Sequence, residues 1–419
     1  MTLHPILAAL RKHKSGVVLI ALQIALTLAI VCNAVFIIAG RVERVNRPTG
    51  IEESNLLLVT QQYVGAPTGD DEASIDELDS RLRRDVAVLR QLPGVVDVTS
   101  VNSVPLLQSA WNGGVAIKPD AQFSFDSKDF STFYFLDDHG LATLGAKLVA
   151  GRNFKPEEVM HKGFRTSIET PVVILTQALA NQLYPDGKAL GKVIYVGGSK
   201  APSTIIGIVE RMQSPGLGQW ANSFAWNATL IPQRMDAAFT RYAVRTQPGQ
   251  LESVMRAAAP ALYKADPMRV LDDDGGVRSF AQIRAAAYQG DVGMAVLMGI
   301  ISLILIAITA AGIVGLTSFW VGQRRKQIGV RRALGARKVD ILRYFQTENF
   351  LIAGIGALFG IVLAVGLNLW LMQHMAMQRL PIALVLAGVA LVLVLGQLAV
   401  WVPARRAADV PPVVATRSV

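Results

Sequence analysis

Residues 279–321 read SFAQIRAAAYQGDVGMAVLMGIISLILIAITAAGIVGLTSFWV. Ser279 and Gln282 have the spacing of a capping box, and no proline follows until Pro381, so one helix is predicted from Ser279 to Val321. Those 43 residues would reach about 65 Å at 1.5 Å per residue, roughly twice the thickness of a hydrocarbon core. Only the part from Val292 onward lacks charge, which assigns the first turns to the space outside the membrane. The alternative is a pair of helices broken near Gly290-Asp291 or Gly293.

Three further runs carry no charged side chain: Gly16 to Gly40, Phe350 to Met372, and Leu380 to Ala404. Spans are therefore expected at 16–40, 292–321, 349–372 and 380–402, one near the N-terminus and three crowded into the last third. The first run is too long for the apolar region of a secretory signal and reads as an uncleaved anchor. Composition agrees: 52% of the 419 residues are apolar, 17% are charged, and the mean hydropathy is +0.38, values that exclude a disordered chain or an ordinary cytosolic one. The single cysteine, Cys32, lies inside the first run, so no disulfide framework is available.

The net charge of +10 invites a nucleic-acid reading, and its placement argues against one. Residues 1–40 carry +3, residues 41–291 carry −2, and residues 292–419 carry +9, so the surplus sits beside the apolar runs. Eight bases fill the loop between spans two and three, whereas only Arg379 lies between spans three and four. The segments 1–15, 322–348 and 403–419 are accordingly assigned to the cytoplasm and 41–291 to the opposite side. Arg41, Arg44 and Arg47 oppose that bias, but a long loop translocates largely regardless of charge.

Within 41–291 the patterns are mixed α/β. Asn55 to Tyr63 reads as a strand, and Ser74 with Glu77 as a capping box ahead of a helix carrying Ile75, Leu78, Leu82, Val86 and Leu89. Pro93-Gly94 then stops the helix and Val95 to Val104 resumes a strand. A second such unit comprises Arg241 to Thr246, Gln250 to Tyr263 with a kink at Pro260, and Met268 to Leu271. These suggest a split β-α-β subdomain over about 50–104 and 222–272, with an insertion over about 105–221 and a stalk helix from about 279. The insertion should hold a strand at Pro171 to Leu175, a helix at Thr176 to Tyr184, and paired strands at Lys192 to Val196 and Ser203 to Val209.

No phosphate-binding loop is present, because neither Gly187-Lys188 nor Gly191-Lys192 has the preceding glycine or following hydroxyl. The five histidines lack metal spacing, and no nucleophile motif occurs, so neither a catalytic residue nor a metal ligand is assigned. Asp137-Asp138-His139 reads as a turn ahead of Leu141, and Asp272-Asp273-Asp274-Gly275-Gly276 as a solvated turn lacking the glutamate that closes a calcium loop. Gly356 and Gly360 form a small-residue pair for helix packing, within the chain or between copies.

The stretch Gln327-Ile328-Gly329-Val330-Arg331-Arg332-Ala333-Leu334-Gly335-Ala336-Arg337-Lys338-Val339-Asp340-Ile341-Leu342-Arg343, followed by Glu348 and a glycine-rich apolar run, resembles the signature of FtsX-like permeases. Pro403-Ala404-Arg405-Arg406-Ala407-Ala408-Asp409-Val410-Pro411-Pro412 is similar to that family's end. Leu144 to Phe154, Pro171 to Leu175 and Leu183-Tyr184-Pro185 resemble the MacB-type periplasmic domain. The resemblance implies a membrane protein with four transmembrane α-helices, one N-terminal plus three C-terminal, and a large α/β extracytoplasmic domain of MacB periplasmic type between spans one and two.

The same resemblance implies a non-catalytic permease subunit of a mechanotransmitting ABC transporter in a bacterial inner membrane. Its partners would be a cytoplasmic ABC ATPase on another polypeptide, a second permease subunit in a homo- or heterodimer, a periplasmic adaptor, an outer-membrane duct and membrane lipid, with no nucleic acid. No cofactor is expected on this chain, ATP and Mg²⁺ being held by the ATPase. The residues implied for coupling are Gln327, Ile328, Gly329, Arg331, Arg332, Ala333, Leu334, Gly335, Ala336 and Arg337; Gln327 stands where many members carry Glu. Read physically, Ile328, Leu334, Ile341, Leu342 and Phe345 can form an apolar side, while Gly329 and Gly335 break the segment for a bend. Export or efflux of a substrate taken from the periplasm is the leading expectation. A regulator that activates an envelope enzyme, as in FtsX, and an extractor of lipoproteins are the alternatives.

Overall fold

The four apolar runs fold as helices long and apolar enough to cross a membrane. This is seen in a computed structural model that describes residues 14–69, 71–119, 121, 130–163, 167–272, 275–375 and 378–409. The helices are α1 (Lys14–Val45), α6 (Phe280–Gln323), α8 (Lys338–Met375) and α9 (Ile382–Ala408). The chain divides into a helical unit, Met1–Asn46 with Gly290–Val419, and an α/β unit, Arg47–Gln289. Lys12, His13, Asp273, Asp274, Pro412 and Arg417 lie outside the described residues, as does most of the N-terminal basic segment.

In the helical unit α8 packs against both α1 and α9. Between apolar helices in lipid the hydrophobic effect supplies no net attraction, so close van der Waals approach and interhelical hydrogen bonds must do so. Close approach is provided by Gly356 and Gly360, which face Ile24 and Leu28 of α1, and by Gly388 of α9, which faces Cys32. Hydrogen bonds come from Thr27, 2.7 Å from Thr309 of α6, and from Asn33, whose Nδ2 donates to the Ala364 carbonyl at 3.1 Å. α6 is unbroken through Gly290 and Gly293, and Asp291 on it is paired with Arg41 of α1. The Arg41 that opposed the charge bias thus neutralises an acid on a neighbouring helix.

Helices extend beyond the uncharged runs. α8 begins at Lys338 and α9 continues through Pro403 to Ala408. Absence of charge marks where a helix meets lipid, whereas a helix persists for as long as one side is covered. Ala404, Ala407 and Ala408 are buried in the core that also holds Ile328, Ile341 and Phe345.

Among the described residues the α/β unit contains two sheets. In the first, β1 (Leu56–Tyr63) lies beside β11 (Phe239–Thr246), which lies beside β2 (Val95–Val101); β12 (Arg269–Val270) and β13 (Val277–Ser279) pair with the far side of β1. Helices α2 (Glu72–Arg90) and α5 (Leu251–Ala265) join β1 to β2 and β11 to β12 and cover one face. Leu82, Val86 and Leu89 from α2 and Val254, Ala258 and Leu262 from α5 meet Leu57, Val59, Val98, Tyr242 and Val244 there. This is the split β-α-β arrangement. The capping reading of α2 needs correction: Asp71 is the N-cap, accepting from the Ser74 backbone at 3.0 Å. Asp71 fits because its carboxylate reaches the third helical N–H, the place Ser74 itself occupies.

The inserted sheet is larger than expected. It comprises β3 (Trp111–Ala116), β4 (Phe130–Leu136), β5 (Leu148–Gly151), β6 (Met160–Gly163), β7 (Val172–Thr176), β8 (Val193–Val196), β9 (Ser203–Val209) and β10 (Ala228–Asp236). The short helices α3 (Gly140–Leu144) and α4 (Gln177–Leu183) connect them. The insertion therefore ends near 236, not 221. The reason is long-range pairing: β10 pairs with β7 on one side and β4 on the other, so the path β4-β3-β8-β9-β7-β10 closes on itself. Phe133, Phe135, Val173, Leu175, Ile194, Ile205 and Ile231 fill its core. The Asp137-Asp138-His139 turn leads into α3, with Asp137 accepting from Thr99 Oγ1 at 2.6 Å.

A buried polar cluster fastens the first sheet to α2. Asp85 accepts from both terminal nitrogens of Arg269 at 2.7 and 2.9 Å, from Tyr63 at 2.6 Å and from Tyr242 at 2.9 Å. The side chains of Arg269 and Asp85 are each 1% exposed. Burial first, and the Asp85 carboxylate beside them, raise both phenols, so they remain protonated donors. Removing one partner of such a pair leaves an uncompensated buried charge. Arg269→Met is accordingly expected to destabilise the α/β unit by about 3–5 kcal/mol, read as a lowered urea midpoint of the full chain in detergent; a shift no larger than that of Arg256→Met, on α5, would contradict this.

Candidate functional site

The basic segment 324–338 folds as a corner, a helix and a tight stop. α6 closes at Gln323, and Arg324 redirects the chain into α7 (Arg325–Ala333). α7 ends on Gly335 at φ +96°, where the Gly335 N–H donates to Arg332 O at 3.1 Å and the Ala336 N–H to Arg331 O at 3.0 Å. That doubly bonded left-handed stop needs glycine, since a Cβ would be strained there. Asp340 then accepts from the Arg337 N–H at 2.9 Å and opens α8. The turn from Leu334 to Arg337 is thus held at both ends by hydrogen bonds.

One side of this segment is glued to the helical unit. Ile328 packs into the core with Ile341, Phe345 and Ala407. Arg324 is paired with Glu348 at 2.9 Å, the two being 11% and 3% exposed, and Arg331 lies over the Tyr344 ring at 5.1 Å. Lys338 meets Asp409 at 2.6 Å. The three acids after residue 292 are Asp340, Glu348 and Asp409, so each has a capping or ion-pairing task within this segment.

The other side is bare. Gln327, Arg331, Ala333, Leu334, Gly335 and Arg337 are exposed, Arg332 and Ala336 half-buried, and only Ile328 and Gly329 buried. Two expectations are corrected here. Leu334 is 83% exposed and joins no apolar side, because α7 has already stopped at Ala333 and the turn carries Leu334 away from the core. Gly329 makes no bend either; it lies inside α7, where helix hydrogen bonding outweighs its roughly 1 kcal/mol penalty. Val330 and Val339 are also exposed, as are Arg331 and Arg337 beside them in the chain. The Arg324–Glu348 pair was not foreseen; an acid placed alone among so many bases is the signal that could have pointed to it.

In the α/β unit a cleft of about 260 Å³ opens between the two sheets, with Trp111, Phe135, Phe239 and Arg241 on its walls. Clefts that enclose drug-sized ligands run roughly 300–1,000 Å³, so no substrate site is assigned to it.

The MacB-like periplasmic core domain family matches residues 22–261, and the FtsX-like permease C-terminal family matches residues 299–412. The chain belongs to the FtsX-like, MacB-type permeases. Among its relatives, the macrolide export ATP-binding/permease protein MacB of Psychrobacter arcticus is 24% identical over 366 residues, 85% of this chain and 50% of that protein. MacB of Chromobacterium violaceum is 25% identical over 275 residues, 64% of this chain and 40% of that one. The pyoverdine export ATP-binding/permease protein PvdT of Pseudomonas savastanoi pv. phaseolicola is 34% identical over 125 residues, 30% of this chain and 19% of that one. The chain thus spans at most half the length of these relatives. The crystal structure of the periplasmic region of MacB from Actinobacillus actinomycetemcomitans is similar at 14% identity and TM-score 0.32, covering 58% of this chain and 97% of that one.

The seam that holds α8 in place makes a direct prediction. A Cβ on Gly356 would stand 2.8 Å from the Ala21 backbone oxygen, which cannot move aside, whereas one on Gly354 would meet nothing within 4 Å. Gly356→Val should lower the thermal midpoint of the detergent-solubilised chain by an amount equivalent to about 1–3 kcal/mol. Gly354→Val should leave it in place, and equal shifts for the two would remove the seam assignment.

Proposed function

We propose that the chain is the permease component of an ABC-type transporter, and that a cytoplasmic ATPase grips the turn from Val330 to Arg337. The observation that carries this reading is Leu334, a leucine 83% exposed on a turn held by hydrogen bonds on both sides. A large apolar side chain on a stiff, basic-rimmed turn has the form of an anchor for a partner's cleft, with an acidic rim on the partner suiting Arg331 and Arg337. Ile328, the Arg324–Glu348 pair and the Arg331–Tyr344 stack would pass a push on that turn into α6 and α8. Glu348 also accounts for why Gln327 need not be acidic, since Arg324 already has its counter-charge.

In this proposal α6 is the transmitting element. It is a single 44-residue helix whose first ten residues, 280–289, belong to the α/β unit and whose remainder belongs to the helical unit. Its span is poorly covered within one chain, with Ile300, Leu303 and Ile304 exposed, which leaves room for lipid and a second permease copy. The spans lack charged residues over their apolar runs, which supports export work on a substrate already outside the membrane in preference to passage between the helices. The export named for the relatives MacB and PvdT supports the same class of activity. ATP and Mg²⁺ would be bound by the ATPase, and a periplasmic adaptor and outer-membrane duct would complete an efflux path.

The test is retention of the ATPase. Chain purified from its native membranes should carry ATP-hydrolysing activity, and Leu334→Asp should abolish that co-purification while the urea midpoint of the α/β unit is unchanged. ATPase retained in full by Leu334→Asp would end the docking assignment.

A further inference from the structure

Asp236, the last residue of β10, is 2% exposed, and among the described residues neither of its carboxylate oxygens has a hydrogen-bond partner. An isolated buried carboxylate is costly by several kcal/mol, so it must be neutralised by a proton or by a cation. Its surroundings are those of a cation site. β6 and β10 are parallel neighbours with Arg234 opposite His161 and Asp236 opposite Gly163, which puts His161, Arg234 and Asp236 on one face of the sheet. α2 presents Asp76 and Asp79, one helical turn apart, to that face. Asp79, His161 and Asp236 each bring a ligand atom to within 4.8 Å of the other two, and His161 Nδ1 is 3.9 Å from Asp236 Oδ2 and 3.7 Å from Asp76 Oδ1.

We propose that Asp79, His161 and Asp236 form a divalent transition-metal site, for which zinc is the best-fitting ion, and that the metal clips α2 to strands β6 and β10. Ligands about 2.0–2.2 Å from a tetrahedral ion lie roughly 3.4 Å from one another, so the observed separations, 3.9 Å for His161 and Asp236 and within 4.8 Å for the set, close by rotation of side chains. One imidazole with two carboxylates is a zinc donor set, whereas calcium would call for about six to eight oxygens. Asp79 remains available although its oxygens already accept from Arg234 Nε at 2.7 Å and Arg83 Nε at 2.8 Å, because each carboxylate oxygen has two lone pairs. Both arginines make their ion pairs with Asp79, whereas the cationic partner recorded for Asp76 and for Asp236 is His161. The fourth position is open to water or to Asp76. The imidazole is partly exposed, which provides the way in from solvent.

The site unites the split β-α-β layer with the closed inserted sheet, both parts of the Arg47–Gln289 unit. A clip there would stiffen the joint between them, making the α/β unit responsive to envelope zinc. The test uses the full chain in detergent, purified without a histidine tag and stripped with a chelator. Titration with Zn²⁺, followed by metal analysis after dialysis, should give one ion per chain and a raised thermal midpoint. His161→Gln, a change at an exposed ring that leaves the fold intact, and Asp236→Asn should each weaken zinc binding by roughly tenfold or more and abolish the thermal shift. Binding and shift unaltered by His161→Gln, absence of a stoichiometric ion, or an equal shift with Ca²⁺ in place of Zn²⁺ would overturn the site.

Discussion

The contact on which the helical unit depends is the approach of α8 to α1 at Gly356 and Gly360. In lipid an apolar helix gains nothing by leaving the hydrocarbon for another apolar helix, so association rests on how closely two backbones can come. Ile24 and Leu28 fill the hollows left by the two glycines, and from that seam α8 carries Ile352, Ala357, Phe345 and Ile341 into one continuous core. The position of Tyr344 and Glu348, and through them of Arg324 and Arg331, follows from where α8 is held. The turn from Leu334 to Arg337 is therefore placed by a packing constraint some turns away along the same helix.

The α/β unit solves a different problem, since its first sheet is interrupted by an insertion of more than a hundred residues between β2 and β11. The two halves of that sheet are fastened by Asp85, a carboxylate on α2 saturated by donors from β1, β11 and β12. A carboxylate so satisfied specifies which strands lie side by side more sharply than apolar contact does, because a slipped strand would leave a buried charge without donors. Asp236 contrasts with it: an equally buried carboxylate, without donors, at the edge of the same helix. One acid is spent on architecture and the other is left with unmet capacity.

The basic segment shows how few acids suffice to organise many bases. Asp340 caps α8, Glu348 holds Arg324 and Asp409 meets Lys338, so the remaining cations project from a scaffold that has already been neutralised where it is buried. The exposed ion pair contributes little, about 0–1 kcal/mol at most, whereas the buried Arg324–Glu348 pair fixes the corner between α6 and α7. Val330, Leu334 and Val339 are then exposed among these cations, on a turn held by hydrogen bonds.

Span number, the one-plus-three order, the unbroken helix beginning beside Ser279 and the two strand-helix-strand units were legible in the sequence. The reason is that apolar run length, charge density and capping spacing are properties of short contiguous windows. The family signature from Gln327 to Arg343 was legible for the same reason. Tertiary structure alone decided that β10 belongs to the inserted sheet, that Gly329 sits inside a helix, that Leu334 leaves the core, and that Asp79, His161 and Asp236 converge across 157 positions of sequence. Each depends on which distant strand or helix lies alongside, a choice set by closure of the sheet and by burial of whole faces, and no local window of sequence contains that information.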